Sequence, residues 1–140
     1  MNDRYKYRAW NKETKTMHDV EGVYAYNDEF TEGGEVFLKG FQTSHYFPEQ
    51  VELVQCTGLK YKNGTLIYEG DILKAYYENS DTETTEFDYV PVGFDDKAVA
   101  FYLGNKHREF IADGTFIPEE YEVAGNIYEN KELLQWQINI

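Results

Sequence analysis

The chain has 140 residues and a formal net charge of −13, from 26 acidic and 13 basic side chains. Nucleic acid and anionic membrane surfaces repel so acidic a protein, because binding to either one usually depends on Lys and Arg contacts. The length predicts a single domain over residues 1–140 that is large enough to bury a core.

Aromatic residues are frequent, with 13 Tyr, 9 Phe and 2 Trp. Tyr and Phe favour the half-buried faces of sheets, and Tyr also suits interfaces where its hydroxyl stays in water. The composition therefore predicts a mainly β protein that assembles with itself. Cys56 is the only cysteine, which excludes an intramolecular disulfide. We see no signal peptide and no apolar run of about 20 residues, and we expect a cytoplasmic protein.

The first predicted element is a strand over residues 5–10, where side chains of different polarity alternate. A polar turn at residues 11–15 and a returning strand at 16–20 would complete a hairpin. Trp10 stands at the end of the first strand. We interpret it as a lid on the core, with a ring that stacks on a ligand as the alternative.

Further strands are predicted at residues 23–26, 36–38 and 51–56, which are short and rich in apolar or aromatic side chains. An acidic segment with two glycines, residues 27–35, should form a loop between the first two of them. The proline-containing segment at residues 43–50 should be irregular.

The central stretch, residues 55–74, predicts two turns that separate short strands. Asn63-Gly64 is a strong hairpin signal, because a type I′ turn requires positive φ at both central residues. A compact apolar strand, Leu66-Ile67-Tyr68, follows this hairpin signal. Gly70-Asp71 then changes the direction of the chain, and an apolar strand at residues 72–77 should lie inside a sheet.

Two interpretations of Gly70-Asp71 are open. In the structural one, Gly70 supplies backbone freedom and the Asp71 carboxylate accepts local N–H bonds, which closes a corner of the fold. In the functional one, Asp71 faces a ligand together with Tyr68 and Glu69. A single Asp in a turn is typical of the structural role, which we favour.

Residues 78–88 contain five acidic side chains and no basic one, which predicts a mobile loop between two strands. Strands are predicted at residues 89–94 and 99–103 on its C-terminal side. Pro91 should place the first of these at an edge of a sheet, because proline lacks the N–H needed for central pairing.

The last part of the chain predicts a second hairpin at Asp113-Gly114 and a strand at residues 121–127. Asn130 is a candidate N-cap, since a side-chain oxygen there can accept a free N–H of the first helical turn. The short helix that follows would carry three apolar side chains, Leu133, Leu134 and Trp136.

Taken together, these motifs resemble the YopX family of small proteins encoded by phages and prophages of bacteria. The shared pieces run the length of the chain: Tyr7-Arg8-Ala9-Trp10-Asn11, Met17, Thr57-Gly58-Leu59, Asn63-Gly64, Ile67-Tyr68-Glu69-Gly70-Asp71-Ile72, Val123-Ala124-Gly125-Asn126-Ile127-Tyr128-Glu129-Asn130 and Leu133-Leu134. The chain departs from the family pattern at Asn11, where Asp is frequent, and at Lys131, where Pro is frequent. Lys131 removes a favoured first-turn proline and leaves the Asn130 cap in place.

The resemblance implies a complex β-barrel or sheet of short antiparallel strands with a short C-terminal helix. It implies a phage or prophage origin, the cytoplasm of the bacterial host as location, and self-assembly. It supplies no activity. The motif residues that we assign to structure are Gly58, Asn63, Gly64, Gly70, Gly125 and Asn126.

The sequence offers few groups for catalysis or metal binding. His18, His45 and His107 lie far apart, without the spacing of zinc ligands. Cys56 lies in a predicted strand and reads as a small buried side chain. Paired acids such as Asp95 and Asp96 are usually solvated. We therefore predict no catalytic residue, no metal and no cofactor.

Three functions remain open. The first is a non-enzymatic accessory protein that acts through protein contacts as a homo-oligomer, with a host or phage protein as a possible partner. The second is a nucleic-acid-related module, or an acidic inhibitor that mimics DNA and blocks a DNA-binding protein. The third is a carboxylate-based enzyme using Asp71 or Glu69. The candidate binding residues are Trp10, Tyr68, Glu69 and Asp71.

Overall fold

The computed structural model describes residues 6–25, 34–39, 45–46, 50–104, 109–111 and 118–134. Backbone contacts divide the chain into two compact units, residues 1–56 and 57–140, and each unit is described by itself below. The single domain expected over residues 1–140 stays a prediction.

The first unit contains an antiparallel sheet. Its strands are β1 (Tyr7–Asn11), β2 (Thr16–Ala25), β3 (Gly34–Leu38), β4 (His45–Tyr46) and β5 (Val51–Lys60), which continues into the second unit. The strand order is β4-β3-β2-β1-β5. β1 pairs with β2 on one side and with β5 on the other, so its middle residue, Ala9, is fully buried. Ala9, Val36, Leu38 and Val51 form the core.

β2 is longer than expected. The sequence predicts separate strands at residues 16–20 and 23–26, whereas one strand runs through both segments up to Ala25. The pairing with β3 shifts between Val20 and Gly22, which is a β-bulge. A bulge adds one residue to one strand and bends it without ending the strand. The loop was expected at residues 27–35, but its last two residues, Gly34 and Glu35, belong to β3. Tyr26 and the rest of that segment lie outside the described residues.

The described part of the second unit contains the end of β5 and six further strands. These are β6 (Leu66–Tyr68), β7 (Asp71–Asn79), β8 (Thr84–Asp95), β9 (Ala100–Leu103), β10 (Glu109–Phe110) and β11 (Tyr121–Asn126). β6 lies beside β5, and the other five form an antiparallel sheet in the order β10-β9-β8-β7-β11. The mainly β fold class is confirmed. Both sheets are open along the described strands, so the described part of the chain has the sheet form of that prediction and no closed barrel.

The core of the second unit lies on one side of its five-stranded sheet. Leu73, Val92 and Leu103 come from neighbouring strands and pack with Ile67 of β6. Their side chains are 8% exposed or less. A short 3-10 helix, Pro118–Glu120, precedes β11, and a single helical turn occupies residues 132–134.

The prediction of a mobile loop at residues 78–88 is wrong. β7 continues to Asn79 and β8 begins at Thr84, so only four residues form the turn between them. The register pairs Tyr76 with Phe87 and Tyr77 with Glu86 across the hairpin. Cross-strand pairs of this kind stabilise strands, and exposed acidic side chains can remain solvated on them. The prediction failed because it rested on charge and did not take the cross-strand pairs into account.

Pro91 lies in an interior strand, since β8 has β7 on one side and β9 on the other. The edge position expected from the sequence is therefore wrong. Its carbonyl oxygen accepts a bond from Gly104 N at 3.1 Å, one residue beyond the end of β9. The missing N–H of Pro91 therefore faces Gly104, beyond the last residue of β9, so the proline lies where the β8–β9 ladder ends.

The turn at Asn63-Gly64 joins β5 and β6, but it is not type I′. Gly64 has a positive φ of 88°, whereas Asn63 is absent from the residues with positive φ. Gly64 N donates to Tyr61 O at 2.8 Å, and Tyr61 N donates to Thr65 O at 2.8 Å. This is a three-residue loop in which a turn is followed by one left-handed residue. The Asn63 side chain accepts a bond from Thr65 N at 3.0 Å.

The C-terminal helix is present as the single turn at residues 132–134. The carbonyl of Asn130 accepts a bond from Leu133 N at 3.0 Å, as expected at a helix start. Its side-chain oxygen instead accepts from Asn126 N at 3.2 Å, so the predicted side-chain cap is wrong. Trp136 and the hairpin signal Asp113-Gly114 lie outside the described residues.

Three hairpin turns share one design that the sequence did not reveal. Each turn has four residues and follows an Asn or Asp whose side chain accepts N–H bonds from inside the turn: Asn11, Asn79 and Asp95. The fourth residue of each turn has a positive φ although it is not glycine: Lys15 (56°), Glu83 (56°) and Val99 (52°).

Val99 is the most strained of these residues. A β-branched side chain in the left-handed region is rare, and the conformation costs about 1–2 kcal/mol for L-residues. Val99 is also 73% exposed, so it gains little from packing. Asn tolerates this region, and we expect Val99→Asn to raise the free energy of unfolding by about 1 kcal/mol in urea titrations.

Ala98→Asn is the matched control, because Ala98 lies in the same turn and does not have a positive φ. It should leave the free energy of unfolding unchanged within about 0.5 kcal/mol. Equal effects of the two substitutions would contradict this account of the turn.

Candidate functional site

The corner between β6 and β7 is held by a buried carboxylate. Asp71 is 4% exposed, and its Oδ2 accepts a bond from Tyr68 N at 2.8 Å. Gly70 has a φ of 87°, which L-residues with a side chain rarely adopt. These contacts support the structural interpretation of Gly70-Asp71, and a binding role of Asp71 stays a prediction.

Gly70 also joins the corner to two other elements. Its N–H donates to Val92 O of β8 at 2.7 Å, and its carbonyl accepts from Ile127 N at 2.8 Å. Both backbone groups of this one residue are therefore bonded to segments distant in the sequence. The corner consequently positions β8 and the loop after β11 relative to β6 and β7 within the second unit.

The loop after β11 is shaped by two asparagines. Asn126 is 8% exposed, and its Oδ1 accepts bonds from Tyr128 N at 3.0 Å and Glu129 N at 2.8 Å. The Asn130 side chain folds back over Gly125, where a Cβ would lie 2.2 Å from Asn130 Oδ1. Only glycine fits at position 125 while Asn130 keeps this position. The sequence motif Gly125-Asn126 thus forms the loop on which Ile127 and Tyr128 lie.

A cleft of about 310 Å³ opens beside this corner. The described residues of its lining contribute backbone, aromatic and aliphatic groups and one carboxylate: Glu69, Gly70, Pro91, Val92, Gly93, Phe94, Tyr102, Gly104, Ile127, Tyr128 and Leu134. The Tyr102 ring lies over Gly93, where a Cβ would come within 2.3 Å of it. The Tyr128 ring lies over Gly70, where the corresponding distance is 3.1 Å. The cleft is within the range of ligand sites, about 300–1,000 Å³.

The side of the second sheet opposite its core carries an aromatic surface. Residues that pair directly across an antiparallel sheet project on the same side, and the register pairs Lys74 with Tyr89 and Tyr76 with Phe87. Glu122 of β11 pairs with Lys74 from the other side. We call Lys74, Tyr76, Phe87, Tyr89 and Glu122 the outer aromatic face.

The rings of this face contact one another. The Phe87 ring centroid lies 5.8 Å from that of Tyr76 and 5.3 Å from that of Tyr89, the latter edge to face. Lys74 Nζ lies 4.7 Å from the Phe87 centroid, which is a cation–π contact. Phe87 nevertheless remains 42% exposed. An exposed, ordered cluster of rings is typical of an interaction surface.

Hydrogen bonds to carboxylates hold two tyrosines of β7. Tyr76 Oη donates to Glu122 Oε2 at 2.7 Å, and Tyr77 Oη donates to Glu86 Oε2 at 3.0 Å. Each bond favours the protonated phenol and raises the pKa of its tyrosine above 10.0, with burial as a smaller cause. Burial is the main cause that raises the pKa of Tyr121.

The structure brings some of the sequence-predicted site residues together. Glu69 lines the cleft, while Tyr68 and Asp71 belong to the corner beside it and are not part of the lining. Trp10 lies in β1 of the first unit and is half-buried. Gly58 has a φ of 82° within β5, next to Thr57, whose hydroxyl donates to Ile67 O at 2.7 Å.

Sequence reasoning missed the residues that shape the cleft walls. Gly93, Tyr102 and Tyr128 come from three different elements. The Tyr102 ring lies over Gly93 because the register of β8 and β9 pairs these two residues, which the sequence alone does not reveal. A glycine inside an otherwise regular strand was the one available signal, because it often indicates close approach of another group.

Few reactive groups are present in the described part of the chain. Cys56 is a fully buried cysteine in β5. No group of three or more His, Cys, Asp or Glu able to hold a metal ion occurs among the described residues. Within those same residues, no helix is long and apolar enough to cross a membrane.

Asp71→Ala should lower the free energy of unfolding by about 2 kcal/mol, because it leaves Tyr68 N without its acceptor in a buried corner. Urea denaturation measures this loss. The control Asp96→Ala removes an exposed turn carboxylate and should change the free energy by less than about 0.5 kcal/mol. Similar losses for both variants would rule out the structural role of Asp71.

The tyrosine bonds predict a loss of stability at alkaline pH. The pKa of Tyr76 is higher in the folded state than its unfolded value of 10.0. Its contribution to the free energy of unfolding is therefore complete below pH 10.0 and is lost as the pH rises through the folded-state pKa. Tyr76→Phe should therefore reduce the steepness with which the free energy of unfolding falls above pH 10.0. Denaturation at a series of pH values measures both slopes, and identical slopes would refute the contribution of Tyr76.

Comparison with known proteins identifies the fold and the family. None of the functionally curated proteins matches the chain. The crystal structure of protein EF1440 from Enterococcus faecalis is similar, with a TM-score of 0.55 and 23% identity, over 92% of this chain and 96% of that one. This likeness concerns the fold. The profile described as YopX protein matches residues 6–135, and so the chain belongs to the YopX family.

Proposed function

We propose that this protein is a phage- or prophage-encoded accessory protein that acts without catalysis, through protein contacts and self-assembly in the bacterial cytoplasm. The observation that carries the proposal is the outer aromatic face, with Phe87 exposed at the centre of three contacting rings. Tyrosine and phenylalanine are enriched at the centres of protein interfaces, where they supply much of the binding energy.

A second copy of the chain suits this face. The face carries a cation, Lys74, and an anion, Glu122, on neighbouring strands with rings beside them. A twofold axis that passes between Lys74 and Glu122 would bring Lys74 of each copy towards Glu122 of the other, as self-complementary interfaces require. Because each copy has a net charge of −13, long-range repulsion opposes association. Added salt should screen this repulsion and strengthen self-assembly.

Phe87→Ser should weaken self-association at least about tenfold, because it removes the central ring of the face. Size-exclusion chromatography with light scattering, over a range of concentrations and at two salt concentrations, measures the change. Tyr77→Ser is the matched control. Tyr77 is similarly exposed, at 44%, and lies next to Tyr76 on the opposite side of β7.

If the wild-type chain self-associates and the Phe87→Ser variant does so equally strongly, the interface lies elsewhere on the protein. A wild-type chain that stays monomeric at all concentrations and salt conditions would refute self-assembly. Thermal melting of both variants checks that the fold is retained.

The acidic β7–β8 hairpin supports a second candidate function, the inhibitor of a DNA-binding protein. Residues 78–88 carry five acids and no base, and four of these acids are exposed: Glu78, Asp81, Glu83 and Asp88. Such a surface attracts a basic partner, and salt weakens that attraction. The opposite salt dependence therefore separates this function from self-assembly.

A further inference from the structure

We propose that the cleft beside Gly70 is a recognition pocket for an arginine side chain of a protein partner. The inference deepens the proposed function and rests on its claim that the protein acts through protein contacts. It concerns a surface that is distinct from the central rings of the outer aromatic face, since the cleft lining contains none of them.

The floor of the cleft is preformed backbone. Gly70 N is bonded to Val92 O at 2.7 Å, and Gly104 N is bonded to Pro91 O at 3.1 Å. The positive φ values of Gly70 (87°) and Gly104 (111°) restrict both positions to glycine. A pocket that needs no rearrangement retains more of its contact energy on binding.

The walls of the cleft suit a planar cation. Tyr102 and Tyr128 stand over Gly93 and Gly70, and the Phe94 ring is held edge to face against Phe101 at 5.0 Å. Aromatic faces attract cations, and the flat guanidinium of arginine can also stack on them. Lys74 over Phe87 shows the same type of contact elsewhere in this unit.

The charge of the cleft lining favours a cationic ligand. Glu69 is half-buried and contributes the one carboxylate of the described lining, which contains no Lys, Arg or His. A carboxylate accepts hydrogen bonds from a guanidinium in a fixed geometry, so Glu69 can bind the end of an arginine side chain. The net charge of −13 draws basic partners to the protein from a distance.

Size also favours a single side chain. A volume of about 310 Å³ stands at the lower limit of ligand pockets and is large enough for one long side chain. Arginine is among the residues that contribute most to interface hot spots. The cleft therefore fits an anchor residue from a protein surface.

The test uses the full chain, labelled with ¹⁵N, titrated with N-acetyl-L-arginine methylamide. We expect saturable amide shifts at Gly70, Gly93 and Gly104, with an affinity in the millimolar range that is typical of a single side chain. The citrulline analogue has nearly the same shape without the charge, and it should bind at least about fivefold more weakly. Equal binding of both probes, or shifts absent from these glycines, would overturn the proposal.

Two substitutions test whether the Glu69 carboxylate binds the arginine probe. Glu69→Gln should weaken arginine binding about three- to fivefold, whereas Glu129→Gln should leave it unchanged. Glu129 is exposed and outside the cleft, and its substitution changes the net charge by the same amount. Tyr128→Leu keeps an apolar side chain and removes the ring, and it should also weaken binding. Equal effects of the two Gln variants would show that only overall charge attracts the probe.

The outcome can be separated from that of the self-assembly experiment. Light scattering on the same samples reports the number of subunits, while the amide shifts report the cleft. Arginine binding by a monomer would refute self-assembly and support the pocket. Self-assembly without arginine binding would support the first proposal and overturn this one.

Discussion

One buried corner organises the second unit. The Asp71 carboxylate accepts the Tyr68 N–H, and Gly70 beside it is bonded through its N–H to Val92 and through its carbonyl to Ile127. Two adjacent residues thus connect β6, β7, β8 and the loop after β11. Because a buried polar group without a partner is costly, each of these bonds constrains the others. The cleft, its glycine floor and the tyrosines above it follow from this arrangement.

Much of this fold could be predicted from local chemistry. Alternating side chains predict β1, and the turn signals at Asn63-Gly64 and Gly70-Asp71 place β6 and β7 correctly, because glycine and Asx residues act within a few residues of chain. Motifs spread along the chain were enough to indicate the YopX family. Prediction failed where pairing between strands determines whether a segment is a strand or a loop. The acidic residues 78–88 read as a loop, yet the Tyr76–Phe87 pair extends the hairpin through them.

The candidate site was less predictable than the fold. Glu69 was singled out from its turn, but Gly93 and Tyr102 become neighbours only through the register of β8 and β9. The outer aromatic face likewise requires the registers of three strands before Lys74, Phe87 and Glu122 share one side. The hairpin turns were also not predictable from local sequence. The residues next to Val99 do not predict its left-handed conformation, which the four-residue turn imposes. The candidate site and the outer aromatic face therefore depend on strand pairings that composition does not encode.

The Gly70–Asp71 corner is a stable connection within the second unit, and hydrogen exchange tests its stability most directly. The amides of Tyr68, Gly70 and Ile127 each donate one of its bonds. We predict that these three amides exchange together, as slowly as the amide of Leu73 in the buried part of β7. Exchange as fast as that of the exposed turn residue Asp81 would contradict the account. The corner would then be a surface turn, and the cleft beside it would have no preformed floor.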